Sequence, residues 1–446
     1  MSYRTVCLFL SIYVVCCLSN QRPIALIGSV LKDNRTIENC TILIIDGRIS
    51  ALGVGISIPN DSRILDTKGV ILPGLIDLHN HMTWNIFPRW KPIEEFSNRY
   101  DWQSKLTYQI SMDGPHRALI KAGLGCVMQR YAEVKAITQG TTSVMGSLRQ
   151  SCNRGLTRNI DDDQDLGRHI YDVFPLQMSE SELIHAKDVL AVNGTLFIHL
   201  AEGSSRSAAT AQEFAMLKSR GLLAQGVSLI HALALKVADF DQMAKSGVGL
   251  VWSPRSNIEL YGETLDMKTV SKLGVMTALA PDWSPTGSDG LLSELNYASG
   301  LNAASDPPLF DDFSLINMAT RNAAKLVRLE NRLGSLENGF LADILVLVPK
   351  SIQLQDNSEW IATQAIPEDV ALVLIEGEPV YGDPDMIEQL TSSNSFESFE
   401  LCGTEKRILM PKTSDSLPTL NMTQQILQAA LRRWGRTLGP LSECGS

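Results

Sequence analysis

Two rhythms of apolar residues alternate along the chain. Between residues 24 and 73 short apolar runs separated by tight turns read as β-strands. Ile24-Ala-Leu-Ile-Gly is the first. Thr41-Ile-Leu-Ile-Ile-Asp-Gly-Arg-Ile carries an Asp46-Gly47 pair of the kind that closes a two-residue hairpin. Lys68-Gly-Val-Ile-Leu-Pro-Gly ends the section. From Leu75 the rhythm becomes strand, loop, helix, repeated. Strands are expected at 75–78, 141–145, 170–174, 195–198, 227–230, 248–251 and 275–279, with a weaker one at 156–159. Helical stretches are expected between them, such as 103–139, 208–220 and 237–245. Short, wholly apolar strands alternating with helices predict an α/β fold with parallel strands buried on both faces. About eight such units over residues 74–330 fit a (β/α)8 TIM-type barrel. A doubly wound open sheet is the alternative, weakened by the lack of G-x-G-x-x-G after the first strand.

Residues 331–384 return to the strand rhythm, with a second hairpin signal at Glu376-Gly377. They are expected to complete a small composite β-sandwich begun by residues 20–73. A C-terminal extension, 385–446, is Ser-rich at first and then helical around 424–434. Residues 1–19 stand apart from the fold. Arg4 precedes thirteen uncharged residues, Val6 to Leu18, and small Cys17 and Ser19 suit cleavage before Asn20. A cleaved signal peptide and a secreted or secretory-pathway protein are therefore expected. The run is too short to span a bilayer, so no membrane attachment is expected after cleavage. Removal of the leader leaves Cys40, Cys126, Cys152, Cys402 and Cys444, an odd number without C-x-x-C spacing; Cys402–Cys444 is one pairing open to them. Acceptor sequons at Asn34, Asn39, Asn60, Asn193 and Asn421 add a weak expectation of glycosylation. The net charge of −10 speaks against a nucleic-acid surface, which needs clustered Lys and Arg. A small-molecule substrate is expected, and a homo-oligomer is left open.

The chemistry gathers at predicted strand ends. His79 and His81 follow the strand 75–78, and residues two apart on a strand share a face. Of seven histidines in the chain, His199 and His231 end two further strands, and Asp282 follows another. Polar side chains at that rim of a barrel are where catalytic groups and ligands stand. Imidazoles with one carboxylate and no Cys suit zinc, or failing that ferrous iron, rather than magnesium or calcium. Such an ion lowers the pKa of its water from 15.7 towards about 7. Glu202, three residues after His199, is placed to shuttle a proton; the plainer reading is a charge at a helix N-terminus. Trp84, Trp252, Trp283 and Tyr261 wall a pocket for a flat ring or fill the core. Arg255 either meets a substrate carboxylate or carbonyl or makes a surface ion pair. Residues 84–101 read as a lid.

Several segments, in order, resemble the amidohydrolase superfamily. Leu72-Pro-Gly-Leu-Ile-Asp-Leu-His-Asn-His-Met is similar to its first-strand metal motif, and Phe197-Ile-His-Leu-Ala-Glu to the His-x-x-Glu motif of its cytosine deaminase and chlorotriazine hydrolase branch. Ser253-Pro-Arg-Ser-Asn and Ala280-Pro-Asp-Trp-Ser resemble its strand-seven and strand-eight segments. The resemblance implies one divalent ion held by His79, His81, His199 and Asp282, with His231 contacting the water or the substrate oxygen and Glu202 as proton shuttle. It also implies a catalytic part for Asp282. The binuclear branch bridges its metals with a carboxylated Lys or a Glu on strand four, and the expected strand here has neither. The expected activity is hydrolysis of a non-peptide C–N bond, by amide or cyclic-amide cleavage or by deamination of an amino-heterocycle. A binuclear metallo-peptidase or lactonase and a non-catalytic binding barrel are the alternatives.

Overall fold

A computed structural model of the chain describes residues 22–147, 152, 156–173, 177–350, 356–391, 395–411 and 417–444. The expected leader, 1–19, lies outside them. Four strands come first: β1 (Ile24–Lys32), β2 (Arg35–Ile45), β3 (Arg48–Val54) and β4 (Arg63–Pro73). Gly74 then turns the chain into the barrel-type layer: β5 (Leu75–Asp77), β6 (Thr141–Val144), β7 (Arg158–Asn159), β8 (His169–Asp172), β9 (Thr195–Leu200), β10 (Val227–His231), β11 (Gly249–Trp252) and β12 (Thr277–Leu279). All eight expected strands are there, and every pairing among them is parallel. They run in two arcs, β5-β6-β7 and β12-β11-β10-β9-β8. A parallel bridge between Asn80 and Asp282 joins the first strand to the last. No ladder links β7 to β8 among the described residues, so the arrangement is of TIM-barrel type with one open seam. Every residue of β9, β10 and β11 is buried, as strands covered on both faces must be.

The helices between the strands are capped by ordinary local chemistry. Ser179 and Glu182 form a reciprocal capping box ahead of Glu180–Ala191. Val237–Ser246 ends on Gly247 at φ 66°, the left-handed position that a side chain with a Cβ resists. The single helix expected over 103–139 is instead broken. Arg99–Ser104 comes first, then a π-turn at Gln109–Asp113, then Gly114–Lys121 and Gly125–Thr138. This folded-back segment covers one end of the barrel strands.

The expected composite of N- and C-terminal segments takes the form of one sheet rather than two. β4 pairs antiparallel with β13 (Ile344–Leu347), and β14 (Val370–Ile375) and β15 (Glu378–Gly382) follow on the same side. Laid flat, β2 and β14 would stand four spacings apart, roughly 19 Å. Yet Ala342 N bonds Gly47 O at 2.9 Å and a Cβ on Gly47 would lie 2.8 Å from Glu376 O. The sheet therefore curls until its two hairpin tips meet, enclosing Ile24, Leu26, Ile42, Leu65, Val346 and Leu372. The extension contributes a hairpin that the sequence reading lacks, β16 (Phe396–Leu401) and β17 (Thr404–Leu409), which brings the sheet to nine strands. Its expected helix runs over Leu420–Arg432 and packs on Gly125–Thr138. Cys402 is bonded to Cys444 and Cys126 to Cys152, with Cα separations of 5.4 and 5.2 Å, and Cys40 is a buried free thiol. Among the described residues no helix is long and apolar enough to cross a membrane.

A buried ion pair ties the helix Gly125–Thr138 to the segment after β12. Lys135 Nζ lies 3.0 Å from Asp289 Oδ1, with side chains 1% and 5% exposed, and Asp289 Oδ2 also accepts from Glu443 N at 2.6 Å. Removing one partner strands the other's charge in the interior. Lys135→Met is expected to cost about 3–5 kcal/mol, read as a lower urea midpoint with an unchanged slope.

Candidate active site

His79 and His81 leave the end of β5, His199 lies in β9, His231 ends β10, and Asp282 follows β12. The structure brings all five together. The ring of His79 lies 5.2 Å from that of His81, 4.7 Å from that of His199 and 5.0 Å from that of His231. Asp282 Oδ1 is 2.9 Å from His79 Nε2 and 3.4 Å from His81 Nε2. One ring nitrogen or carboxylate oxygen from each of His79, His81 and His199 lies within 4.8 Å of the others, and the same holds for His79, His231 and Asp282. His231 and Asp282 adopt φ of 65° and 67°, a left-handed conformation costly for residues with a Cβ. Such strain concentrates where a side chain must be aimed.

The surrounding hydrogen bonds decide which nitrogen faces inward. His79 Nδ1 donates to the Tyr171 hydroxyl at 2.8 Å, which donates in turn to Asn80 O at 3.1 Å. His199 Nδ1 donates to the Asp172 carbonyl at 2.9 Å. His231 Nδ1 donates to Asn257 Oδ1 at 2.9 Å. Each ring is thereby held with an Nε2 lone pair towards the cluster. Burial lowers the pKa of His79 and His199 and pushes His81 down to about 3, so all three imidazoles are neutral. For Asp282 burial favours the neutral acid, but the imidazoles around it, His79 first, hold the carboxyl below its usual range. Ser256 Oγ donates to Asp282 Oδ2 at 2.6 Å.

Buried lone pairs therefore face a carboxylate with nothing between them to donate. Nε2 of His79 and of His199 are buried and, among the described residues, without a hydrogen-bond partner. Around a tetrahedral ion with bonds of about 2.0–2.1 Å, ligand atoms stand roughly 3.3 Å apart, close to the two Asp282 separations. The donor set fits a divalent cation held by His79, His81, His199 and Asp282, with His231 adjacent. β8 offers His169, Ile170, Tyr171 and Asp172, hence neither Lys nor Glu to bridge a second ion. His169 itself is turned to Thr195 Oγ1 at 2.8 Å.

Glu202 is buried beside this cluster. Its Oε1 accepts from the Tyr261 hydroxyl at 2.6 Å, which accepts from Trp102 Nε1 at 2.9 Å. Its Oε2 lies 4.0 Å from His231 Nε2 and 3.4 Å from Arg99 Nη1. A cavity of about 600 Å³ opens above, lined by His81, His199, Glu202, His231 and Asp282 below and by Trp84, Trp102, Tyr108 and Trp283 at its sides. Trp283 meets Trp84 edge-on at 5.8 Å and Trp102 at the same centroid distance.

Two expected substrate contacts are displaced. Trp252 is 3% exposed and bonds Thr264 Oγ1 through its indole N–H at 2.9 Å, so it belongs to the core beneath the cavity. Arg255 starts a helix turned outward: it lies 3.5 Å from Glu443 and over the ring of Tyr297, away from the cavity lining. Trp84 and Trp283 do line the cavity. Tyr261 holds Glu202 rather than forming a wall. The expected lid, 84–101, ends too early: the cover runs from Trp84 to Arg117 and its lining includes Gln103, Gln109, Asp113 and His116. Tyr171, Ser256, Asn257 and Arg99 carry roles that sequence reasoning did not assign. The strand-seven segment did contain Ser256 and Asn257, and this polar pair, two residues after a proline that opens a helix, was the available signal.

Comparisons with known proteins agree with this geometry. The amidohydrolase family matches residues 70–380. A 5-methylthioadenosine/S-adenosylhomocysteine deaminase from Thermococcus kodakarensis is 22% identical over 390 residues, 78% of this chain and 91% of that protein. A 5'-deoxyadenosine deaminase from Methanosarcina mazei is 23% identical over 393 residues, 79% and 90% of the two chains. The crystal structure of an adenosine deaminase from Xanthomonas campestris with bound zinc superposes with a TM-score of 0.67 at 16% identity, covering 93% of this chain and 98% of that one. With the family matched over most of its length and the ligand constellation assembled in space, the chain belongs to the amidohydrolase family.

Proposed function

We propose that this protein is a zinc-dependent deaminase that hydrolyses the exocyclic C–N bond of an amino-heterocycle. As an amidohydrolase it is a metal-dependent hydrolase of C–N bonds other than peptide bonds. The observation that carries the finer reading is the placing of Glu202 and His231, 4.0 Å apart, over the imidazole–carboxylate cluster at the floor of an aromatic-walled cavity. Indole faces suit a flat ring, and the relatives above are deaminases of adenine-bearing compounds by name. A divalent ion at the cluster supplies Lewis acidity that makes water a nucleophile near neutral pH.

The residues then divide the proton work. Glu202, fixed by Tyr261, takes a proton from the attacking water and passes it to the ring nitrogen next to the reacting carbon. His231, fixed by Asn257, presents Nε2 to the water or to the oxygen that develops from it. Asp282, restrained by Ser256, accepts the second proton, which leaves with the exocyclic nitrogen. The new C–O bond replaces C–N and ammonia departs. Trp84, Trp102 and Trp283 hold the ring and keep bulk water off it.

A location outside the cytosol suits the same reading. The leader-like 1–19 is followed by two disulfides, which persist in oxidising compartments. The side chains of Asn34, Asn39, Asn60, Asn193 and Asn421 are all exposed.

Three outcomes test this. Glu202→Gln is expected to lower kcat for ammonia release by about 10²- to 10⁴-fold with the same metal content by elemental analysis; loss of metal with activity would move Glu202 into the ligand set. Dialysis against a chelator is expected to abolish ammonia release, and one equivalent of zinc per chain to restore it; a need for two would favour a binuclear centre. Intact-mass analysis of secreted protein is expected to show an N-terminus at Asn20, two disulfides and one thiol; retention of Met1 would refute processing.

A further inference from the structure

Arg99 is the cationic side chain that neither the ligand set nor the proton relay uses. It opens the helix Arg99–Ser104 and is 6% exposed, with that helix covering the cavity that Arg99 lines. Its Nε and Nη1 have no hydrogen-bond partner among the described residues. Among the described residues its ionic contact is Glu202 Oε2 at 3.4 Å. A guanidinium is a planar fork of five donors, and donors left unmet in the interior are costly. The other Arg lining the cavity, Arg117, is largely exposed and bonded to Asp113 at 2.9 Å.

The placement of Arg99 is built rather than incidental. Arg99 N donates to Glu202 O at 3.1 Å, and Ser204 N donates to Ser97 O at 2.8 Å. This short antiparallel pairing, centred on Asn98 and Gly203, locks the Arg99 loop to the Glu202 loop. It requires glycine at 203, where a Cβ would stand 2.6 Å from Asn98 Cβ and 2.8 Å from Ser97 O. Gln103 and Gln109, on the same cover segment, add polar groups to a lining that also holds Trp84, Trp102 and Trp283.

We infer that Arg99 is a specificity-determining residue that binds an acceptor oxygen, carbonyl or carboxylate, carried on the heterocyclic ring itself. The inference rests on the deaminase reading and narrows it. Arg99 Nη1 is 3.4 Å from the Glu202 oxygen that lies 4.0 Å from His231 Nε2. An oxygen reached by this guanidinium therefore sits within about one ring's width of the reacting carbon, too near to be a remote substituent. Two N–H donors to one oxygen, or to two of a carboxylate, complete the fork. A site built around such a contact rejects the analogue lacking the oxygen far more strongly than an apolar pocket rejects a lost methylene.

The test uses the metal-loaded full chain and paired rings that differ in one oxygen: cytosine against 4-aminopyrimidine, and guanine against 2-aminopurine. Wild type is expected to favour the oxygen-bearing member of a pair it turns over by at least about 100-fold in kcat/KM. Arg99→Met is expected to cut that preference to below about 10-fold, chiefly through KM, with Arg99→Lys between the two. Unchanged metal content and melting temperature exclude a folding defect. A wild-type preference near unity, or an Arg99→Met loss falling equally on both members, overturns the assignment while leaving deamination standing. If no ring releases ammonia, the deaminase reading fails. Calorimetry with uracil and xanthine then decides on Arg99 alone: binding lost in Arg99→Met upholds it, and absence of binding to wild type overturns it.

Discussion

An ionised carboxylate and the lone pairs of neutral imidazoles, all buried and turned towards one another, make an arrangement that protein atoms alone do not satisfy. Asp282 faces His79 and His81 across 2.9 and 3.4 Å, and the His79 N–H is committed to the Tyr171 hydroxyl. His79, His199 and His231 have already given their N–H to outer partners. The structure pays twice for the arrangement, in desolvation and in the left-handed backbone of His231 and Asp282. A divalent cation is the group that turns these repulsions into bonds. The strands, the curled sheet and the buried Lys135–Asp289 pair matter to function because they hold the donors in place against that cost.

The outer partners come from elements remote in sequence. Tyr171 stands on β8, Asp172 supplies its carbonyl from the same strand, and Ser256 and Asn257 lie in the first turn of Pro254–Tyr261. Tyr261, at the far end of that helix, grips Glu202. One short helix thus serves the carboxylate, the second-sphere histidine and the proton carrier together. A chain of side-chain bonds also crosses the seam between first and last strands: Asn80 Oδ1 accepts from Asn85, whose own Oδ1 accepts from Ser284 N. The bridge between Asn80 and Asp282 is therefore supported beyond its main-chain contact.

Much of this was legible from residues alone. The barrel strands announced themselves because a strand buried on both faces must be apolar throughout, and polar residues at their ends stood out against that background. His79, His81, His199, His231, Glu202 and Asp282 were found in this way. What escaped depended on direction rather than position. Trp252 ends a strand as His231 does, but its indole points down into the core. Arg255 follows the same strand and turns outward on a helix. Phe396–Leu401 and Thr404–Leu409 form a hairpin at the sheet's edge, where charged residues interrupt the apolar pattern that marks a central strand. The Cys126–Cys152 bond was invisible because spacing does not encode connectivity. Tyr171 and Arg99 were unassigned for a related reason: a single tyrosine in a strand, or one arginine among several in a loop, gains its meaning from the groups that other segments bring to it.

The glycine at 203 ties two motions into one. Main-chain bonds on either side of it sew the segment that covers the cavity to the segment that bears Glu202. Were this cover to swing aside for a ring to enter or leave, it would carry the acid–base group away from the water it deprotonates. Access and proton transfer would then alternate by construction, so that an open cavity is a chemically idle one.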